Sequence, residues 1–251
     1  MAARPYPMLV AALLALAAAA EPATAQLAVS STVLVFPHFE IAKKSRTELR
    51  ISNPGGVEAN VQVAFLCAAP SPGGVCASST AAPFSLAPGA TRVIDVDVEG
   101  PPCTEGAART VSDQPLAGSY TFGKGGQQEI GAAIDGALAT PVLVSDFRAT
   151  RRKEGSRLDL VDAAAVLGGP NPERTVTLDV FDGSASKTFA TGFGFTCVAS
   201  VRLGDLDERF EEQSLGSPVG FLRIASPGDL LGALSELRGS RGVTRPLFSQ
   251  P

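Results

Sequence analysis

Apolar and polar residues alternate along several short segments of the chain. The clearest cases are Leu49/Ile51, Val61/Val63/Phe65, Leu158/Leu160 and Val176/Leu178/Val180. A period of two places one face of a strand in a core and the other in water. Turn-forming sequences separate these segments, notably at residues 53–56, 87–89 and 168–172. Short strands with such punctuation predict an all-β fold of sandwich type.

One segment allows two interpretations. In residues 229–237, Leu230, Leu231, Leu234 and Leu237 have helical spacing. The internal repeat described next aligns the same segment with the strand-like residues 129–134. The sequence leaves helix and strand open here.

The chain carries an internal repeat, which is best sought before any other feature. Val33 precedes Leu49 by the same distance as Val142 precedes Leu158. Further blocks follow in the same order: 61–66 with 176–181, 84–93 with 189–198, and 118–122 with 220–224. The repeat predicts two tandem immunoglobulin-like β-sandwich domains, at residues 26–139 and 140–251.

The N-terminus has the pattern of a secretory signal peptide. Arg4 precedes an apolar run over residues 8–20, and small residues follow at 23–25. We expect residues 1–25 to be a signal peptide cleaved after Ala25, with the mature chain secreted or periplasmic. No later stretch approaches the length of a membrane-spanning helix.

Four cysteines in an exported chain favour two structural disulfides over metal or redox chemistry. Three pairings are possible. A turn-rich segment separates Cys67 from Cys76, which favours a bond between them across a hairpin. Cys103 would then pair with Cys197.

Composition excludes some partners. Charged residues make up 18% of the chain and the formal net charge is −4, so nothing favours nucleic-acid binding. The single Tyr beyond the signal and the lack of Trp argue against a glycan site built on stacked aromatic rings.

Residues 36–39, the strand and turn over 47–55, the strand 61–65 and the stretch 84–91 together resemble an immunoglobulin-like repeat of many secreted bacterial proteins of unassigned function. The resemblance covers most of the first copy and part of the second. It implies fold and not a specific activity.

The chain also resembles periplasmic pilus-assembly chaperones, which have two immunoglobulin-like domains after a signal peptide. That resemblance implies an alternative function, the capture of a subunit by strand addition. A chaperone strand with a carboxylate-binding basic residue is not evident after Val98, where the chain turns acidic and proline-rich.

The sequence gives little support for a catalytic site. His38 is the only histidine, and no nucleophile elbow or phosphate-binding loop is present. Asp95, Asp97 and Glu99 would share one strand face, which supplies fewer oxygens than Ca²⁺ takes. We therefore expect a non-enzymatic chain without a cofactor or metal.

Two basic clusters are the best candidates for a binding site. Lys43, Lys44 and Arg46 correspond in the repeat to Arg151, Arg152, Lys153 and Arg157. If they occupy equivalent loops, they present two positive patches on an otherwise acidic protein. Such patches predict binding to an anionic glycan or surface, or to an acidic protein partner.

Overall fold

The chain is all-β. A computed structural model describes residues 30–43, 45–70, 76–124, 127–147, 156–169, 173–181, 186–212, 220–238 and 241–247. In those residues the strands dominate and the helices are single turns. The predicted signal peptide, residues 1–25, lies outside the described residues.

The described residues of the N-terminal half form nine strands and one short helix. They are β1 (Ser30–Glu40), β2 (Ser45–Ser52), β3 (Ala59–Pro70), β4 (Cys76–Thr80), β5 (Phe84–Leu86), β6 (Thr91–Asp95), α1 (Val96–Glu99), β7 (Glu105–Lys124), β8 (Gln127–Ala132) and β9 (Ile134–Asp135).

Within the C-terminal half, the residues that the structure describes form seven strands and three short helices. They are β10 (Thr140–Phe147), β11 (Arg157–Asp162), α2 (Ala163–Leu167), β12 (Arg174–Phe181), β13 (Lys187–Phe195), β14 (Val198–Arg202), α3 (Leu203–Leu206), α4 (Arg209–Glu212), β15 (Gly220–Arg238) and β16 (Arg241–Pro246).

One long strand organises each half. The first part of β7 pairs with β1 and β3, while its second part pairs with β2 and β8. In the same way, the first part of β15 pairs with β10 and β12, and its second part with β11 and β16. Each long strand therefore connects two sets of strands in its half.

Six strands of each half share one pairing scheme, in which β1, β2, β3, β6, β7 and β8 correspond to β10, β11, β12, β14, β15 and β16. In this correspondence Leu49 lies opposite Tyr120, and Leu158 lies opposite Leu234. Gly118 therefore corresponds to Gly232, and not to Gly220 as the sequence comparison predicted. The error arose because glycine recurs along each long strand.

A parallel strand pair joins the halves. Val243 of β16 pairs with Ile130 of β8 in a parallel register. Because β8 and β16 are also bonded to β7 and β15, the sheet continues from one half to the other in the order β6-β2-β7-β8-β16-β15-β11-β14.

The apolar interior forms three clusters. One lies within the N-terminal half and includes Leu49 and Phe65, and a second lies within the C-terminal half and includes Leu160 and Leu178. The third combines residues of both halves, among them Val35, Leu66, Val161, Leu231 and Ala233. The halves thus share a buried apolar interface, and the division predicted at residue 139 stays a prediction.

The segment that the sequence left open is strand. Residues 229–237 lie inside β15, and both faces of this strand are buried from Leu230 to Glu236. Leu230 and Leu234 enter the core of the C-terminal half, whereas Leu231 and Ala233 enter the shared interface. A strand buried on both faces loses the alternation of apolar and polar residues. The leucines of this segment therefore matched helical spacing by their positions alone.

The disulfide pairing predicted from the sequence is wrong. Cys67 bonds to Cys103, and Cys76 bonds to Cys197. In the hairpin of β3 and β4, Cys76 lies opposite Pro70 and not opposite Cys67. Cys67 instead lies opposite Gly106 of β7, close in sequence to Cys103. The second bond links the two halves covalently.

Candidate functional site

The structure describes only part of the predicted basic site. Lys43 is exposed in the turn between β1 and β2. Arg46 is 63% exposed, and its guanidinium lies 2.6 Å from Asp95 and 3.2 Å from Glu48. The hydrogen bond to Asp95 raises the pKa of Arg46, so its charge is permanent but locally balanced. Lys44, Arg151, Arg152 and Lys153 lie outside the described residues.

Arg157 does not belong to an exposed loop, and this part of the sequence prediction is wrong. Its side chain is only 9% exposed and lies at the start of β11. It shares one strand face with Asp159, because alternate residues of a strand point the same way. The other face carries Leu158 and Leu160, which enter the core.

Arg157 is the centre of a buried polar cluster, which we define as Arg157, Asp159, Glu129, Ser235, Thr244, Ser200 and His38. The Arg157 Nε donates to Asp159 Oδ1 at 2.9 Å, and its Nη2 donates to Glu129 Oε1 at 2.8 Å. Burial alone lowers the pKa of Arg157, but the charges of Asp159 and Glu129 outweigh burial and raise the pKa above its usual value.

Hydroxyl groups complete the cluster. Ser200 donates to Asp159 at 2.8 Å, and Ser235 donates to Glu129 at 2.8 Å. Thr244 also donates to Glu129. Burial raises the pKa of Asp159, and the charge and hydrogen bonds of Arg157 act against that rise.

Aromatic rings line the cluster on the side of the N-terminal half. His38 lies edge-on to Phe122 with 4.9 Å between ring centroids, and its Nδ1 is 3.5 Å from Asp159 Oδ1. The Arg157 guanidinium lies 5.4 Å from the Phe122 centroid. Burial, followed by the charge of Glu129, raises the pKa of the neighbouring Tyr120 well above its usual value.

The buried polar cluster joins the two halves. His38 and Glu129 come from the N-terminal half, while Arg157 and Asp159 come from the C-terminal half. Because these four residues are buried, they contact each other instead of solvent. Their contacts therefore cross from one half to the other. The sequence of β11 did not predict this contact between the halves. Its alternating pattern assigns Arg157 and Asp159 to a polar face but does not show whether water or protein covers that face.

The acidic residues after β6 do not share a strand face, contrary to the sequence prediction. Asp95 ends the strand and caps α1, with its side chain accepting from the backbone N–H of Asp97 at 3.2 Å. Asp97 and Glu99 lie in that helical turn. Among the described ranges no group of three His, Cys, Asp or Glu side chains is placed to hold a metal ion.

Within the part of the chain that the structure describes, no helix has the length and hydropathy needed to cross a membrane.

Comparisons with known proteins leave the family open. No family model matches the chain, and no curated protein matches it. Among solved structures, a candidate beta-galactosidase from Bacteroides fragilis aligns with a TM-score of 0.19 and 10% identity, over 83% of this chain and 31% of that one. A glycosyl hydrolase family 2 member from Bacteroides cellulosilyticus aligns with a TM-score of 0.18 and 9% identity, over 83% of this chain and 25% of that one. The chain thus spans less than a third of either protein, and at these TM-scores the alignments support no conclusion about function.

Proposed function

We propose that the chain is a non-enzymatic, exported interaction module. Its two tandem immunoglobulin-like domains are held rigidly together, and they present basic loops to an anionic surface or an acidic protein partner. The observation that carries the proposal is the Cys76–Cys197 disulfide together with the buried polar cluster. A covalent bond and a set of buried ion pairs across one interface favour a fixed geometry of the two halves.

The matched strand pairings support the tandem arrangement. β1, β2, β3, β6, β7 and β8 of the first half pair with each other as β10, β11, β12, β14, β15 and β16 do in the second. Two copies of one pairing scheme are expected when one domain is repeated.

The two disulfides support export. Disulfides persist in oxidising compartments outside the cytoplasm and are rare inside it. This agrees with the signal-peptide pattern of residues 1–25.

Rigid docking of the two halves would strengthen binding by the basic loops. In the sequence, the cluster at Lys43 and Lys44 falls between β1 and β2, and the cluster at Arg151 to Lys153 falls between the corresponding strands β10 and β11. Two sites on a rigid scaffold bind one extended partner with an effective concentration that neither has alone. Arg157 is not part of this surface, and Arg46 contributes a charge that Asp95 already balances.

Retention on heparin tests the proposed function. We expect the mature chain to bind the column and to elute at lower salt when Lys43, Lys44, Arg151 and Arg152 are all changed to Ser. A matched control changes the exposed arginines Arg50, Arg92, Arg241 and Arg245 to Ser, which removes the same charge from strands instead of loops. If the loop variant and the control variant elute together, the loops are not the binding site and the proposed function fails.

A further inference from the structure

The outer face of one sheet in the C-terminal half carries two phenylalanines. This sheet has the strand order β10-β15-β12-β13. Its inner face carries Leu178, Val180 and Leu222, which are fully buried in the core of that half. Phe181 and Phe221 lie on the opposite face, because successive residues of a strand point to opposite sides. Their rings are half-buried, and the ring centroids lie 6.2 Å apart.

The corresponding face of the N-terminal half is already an interface. In the strand correspondence described above, Phe221 corresponds to Ala107 and Phe181 corresponds to Leu66. Ala107 and Leu66 belong to the apolar cluster that the two halves share. Phe181 and Phe221 belong to none of the three clusters that the described residues form. The first copy of the repeat therefore uses this face for docking, and the described residues leave it uncovered in the second copy.

Charged side chains surround the two rings on the same face. Asp146 of β10 and Lys187 of β13 lie opposite the phenylalanines, at the two edges of the sheet. In the next row Arg223 of β15 lies opposite Asp179 of β12. Lys187 and Asp179 form an ion pair at 2.5 Å, which places both side chains on one face. Among the residues that the structure describes, Asp146 and Arg223 have no ion-pair partner.

The order of these side chains is self-complementary. A two-fold axis that runs along the strands, between β15 and β12, turns the face over and reverses its strand order. This rotation places Arg223 over Asp179 of a second copy, and it sets the two phenylalanines of one copy over those of the other. The same rotation places Asp146 over Lys187 of the second copy. One axis therefore matches both rows, and unlike charges meet at each charged position.

We propose that the chain forms a two-fold symmetric dimer through this face. Sheets that pack face to face lie about 10 Å apart with their strands within about 30° of each other, so the four rings fill the centre of the contact. The small residues Ala190, Gly192 and Ala225 beside the charged row allow the two sheets to approach. A two-fold contact uses the same patch on both copies, so it closes as a dimer.

The size of the face predicts a weak dimer. Four strands about 4.8 Å apart, at about 3.4 Å per residue along the eight residues of β12, give a face of roughly 500 Å² per copy. Two such faces bury roughly 1,000 Å², which is about the least that specific interfaces bury. We therefore expect an association that depends on concentration in the micromolar range.

Sedimentation velocity tests the dimer over a series from about 1 µM to about 300 µM, the range expected for a contact of this size. We expect the mature chain to change from monomer to dimer as its concentration rises. Arg223→Asp and Asp179→Arg should each weaken the association at least about tenfold, because like charges then meet across the axis. An equimolar mixture of these two variants should associate again, because unlike charges meet in the mixed dimer.

Phe221→Thr tests the apolar centre of the contact, and it should also weaken the association at least about tenfold. Ile130→Thr is the matched control, since Ile130 is 54% exposed on β8, outside this face. Arg241→Asp is the control for charge reversal, because it changes an exposed arginine of β16. Thermal unfolding of each variant at low concentration separates loss of the dimer from loss of the fold.

Three outcomes overturn the proposal. The chain remains monomeric up to the highest concentration, or it associates equally well in Arg223→Asp, Asp179→Arg and Phe221→Thr, which means that the copies meet through another face. The third outcome is a mixture of the two charge variants that stays monomeric, because the two-fold pairing then does not exist. The serine substitutions in the basic loops leave this face unchanged, so heparin retention and the dimer fail independently.

Discussion

We expect the buried carboxylate of Asp159 to contribute more to the free energy of unfolding than an exposed carboxylate does. It accepts from Arg157 and Ser200 inside the docked interface. Asp159→Ala leaves the Arg157 charge buried with Glu129 as its remaining carboxylate, and breaking a buried pair in this way costs about 3–5 kcal/mol. We expect the free energy of unfolding in urea to fall by that amount.

An exposed ion pair provides the control for this measurement. Asp179 lies 2.5 Å from Lys187, whose side chain is 51% exposed. Asp179→Ala should cost at most about 1 kcal/mol, because solvent screens such pairs. Equal losses for the two variants would mean that the buried polar cluster does not hold the halves together.

Glu105 gives a pH dependence of defined sign. It lies directly opposite Glu40 across β7 and β1. Burial, and then the charge of Glu40, raise the pKa of Glu105 in the folded chain. A carboxyl whose pKa is raised on folding favours the folded state while protonated, and that contribution is lost as the pH rises through the folded pKa.

Glu105→Gln should therefore stabilise the chain only at neutral pH. The variant removes a half-buried charge that faces the like charge of Glu40, and like charges directly opposite each other on neighbouring strands are destabilising. Urea unfolding near pH 7.5 should show this gain, and unfolding near pH 4 should show little difference from the natural chain. A gain that is the same at both pH values would contradict the assigned cause.

At the scale of elements, the close packing of β7 against β3 depends on Gly106. A Cβ atom at this position would lie 2.0 Å from the backbone oxygen of Leu66 and 3.0 Å from the ring of Phe39. Backbone cannot rotate away as a side chain can, so we expect Gly106→Ala to cost at least the 1–3 kcal/mol that is roughly typical of overpacking.

Gly56→Ala is the control for this substitution. Gly56 lies in the turn after β2, and a Cβ atom there would meet nothing within 4 Å. Thermal unfolding should separate the two variants clearly. If Gly106→Ala unfolds at the same temperature as the control, β3 and β7 are not packed as described.

Elements with one face in water were predictable from the sequence, whereas elements buried on both faces were not. β2 and β12 alternate between buried and exposed positions, and the sequence showed that alternation. β11 is buried along its whole length, so its polar residues gave no sign that they form an interface and not a solvent face. The same two-sided burial concealed the strand at residues 229–237.

At the scale of the whole molecule, predictions from local sequence failed where segments distant in the chain come into contact. The repeat pointed to two similar halves, but nothing in it showed that β8 and β16 pair in parallel or that Cys76 reaches Cys197. Proximity in sequence favoured Cys67 with Cys76. The fold instead brings each of them to a more distant partner, because β3 pairs with β7 and the hairpin packs on the second half.

The disulfide between the halves should stabilise the chain more than the disulfide within one half. Cys76 and Cys197 are separated by 121 residues, whereas Cys67 and Cys103 are separated by 36. Chain-entropy scaling assigns about 4.9 kcal/mol to the longer loop and about 3.8 kcal/mol to the shorter one. The paired variant Cys76→Ser with Cys197→Ser should therefore unfold at lower urea than Cys67→Ser with Cys103→Ser.

The first variant should also become susceptible to proteolysis between the halves only if the buried polar cluster cannot hold them alone. Combining it with Asp159→Ala decides this: losses that exceed the sum of the single losses mean that the bond and the cluster secure one interface, and strictly additive losses mean that they act on separate parts of the fold.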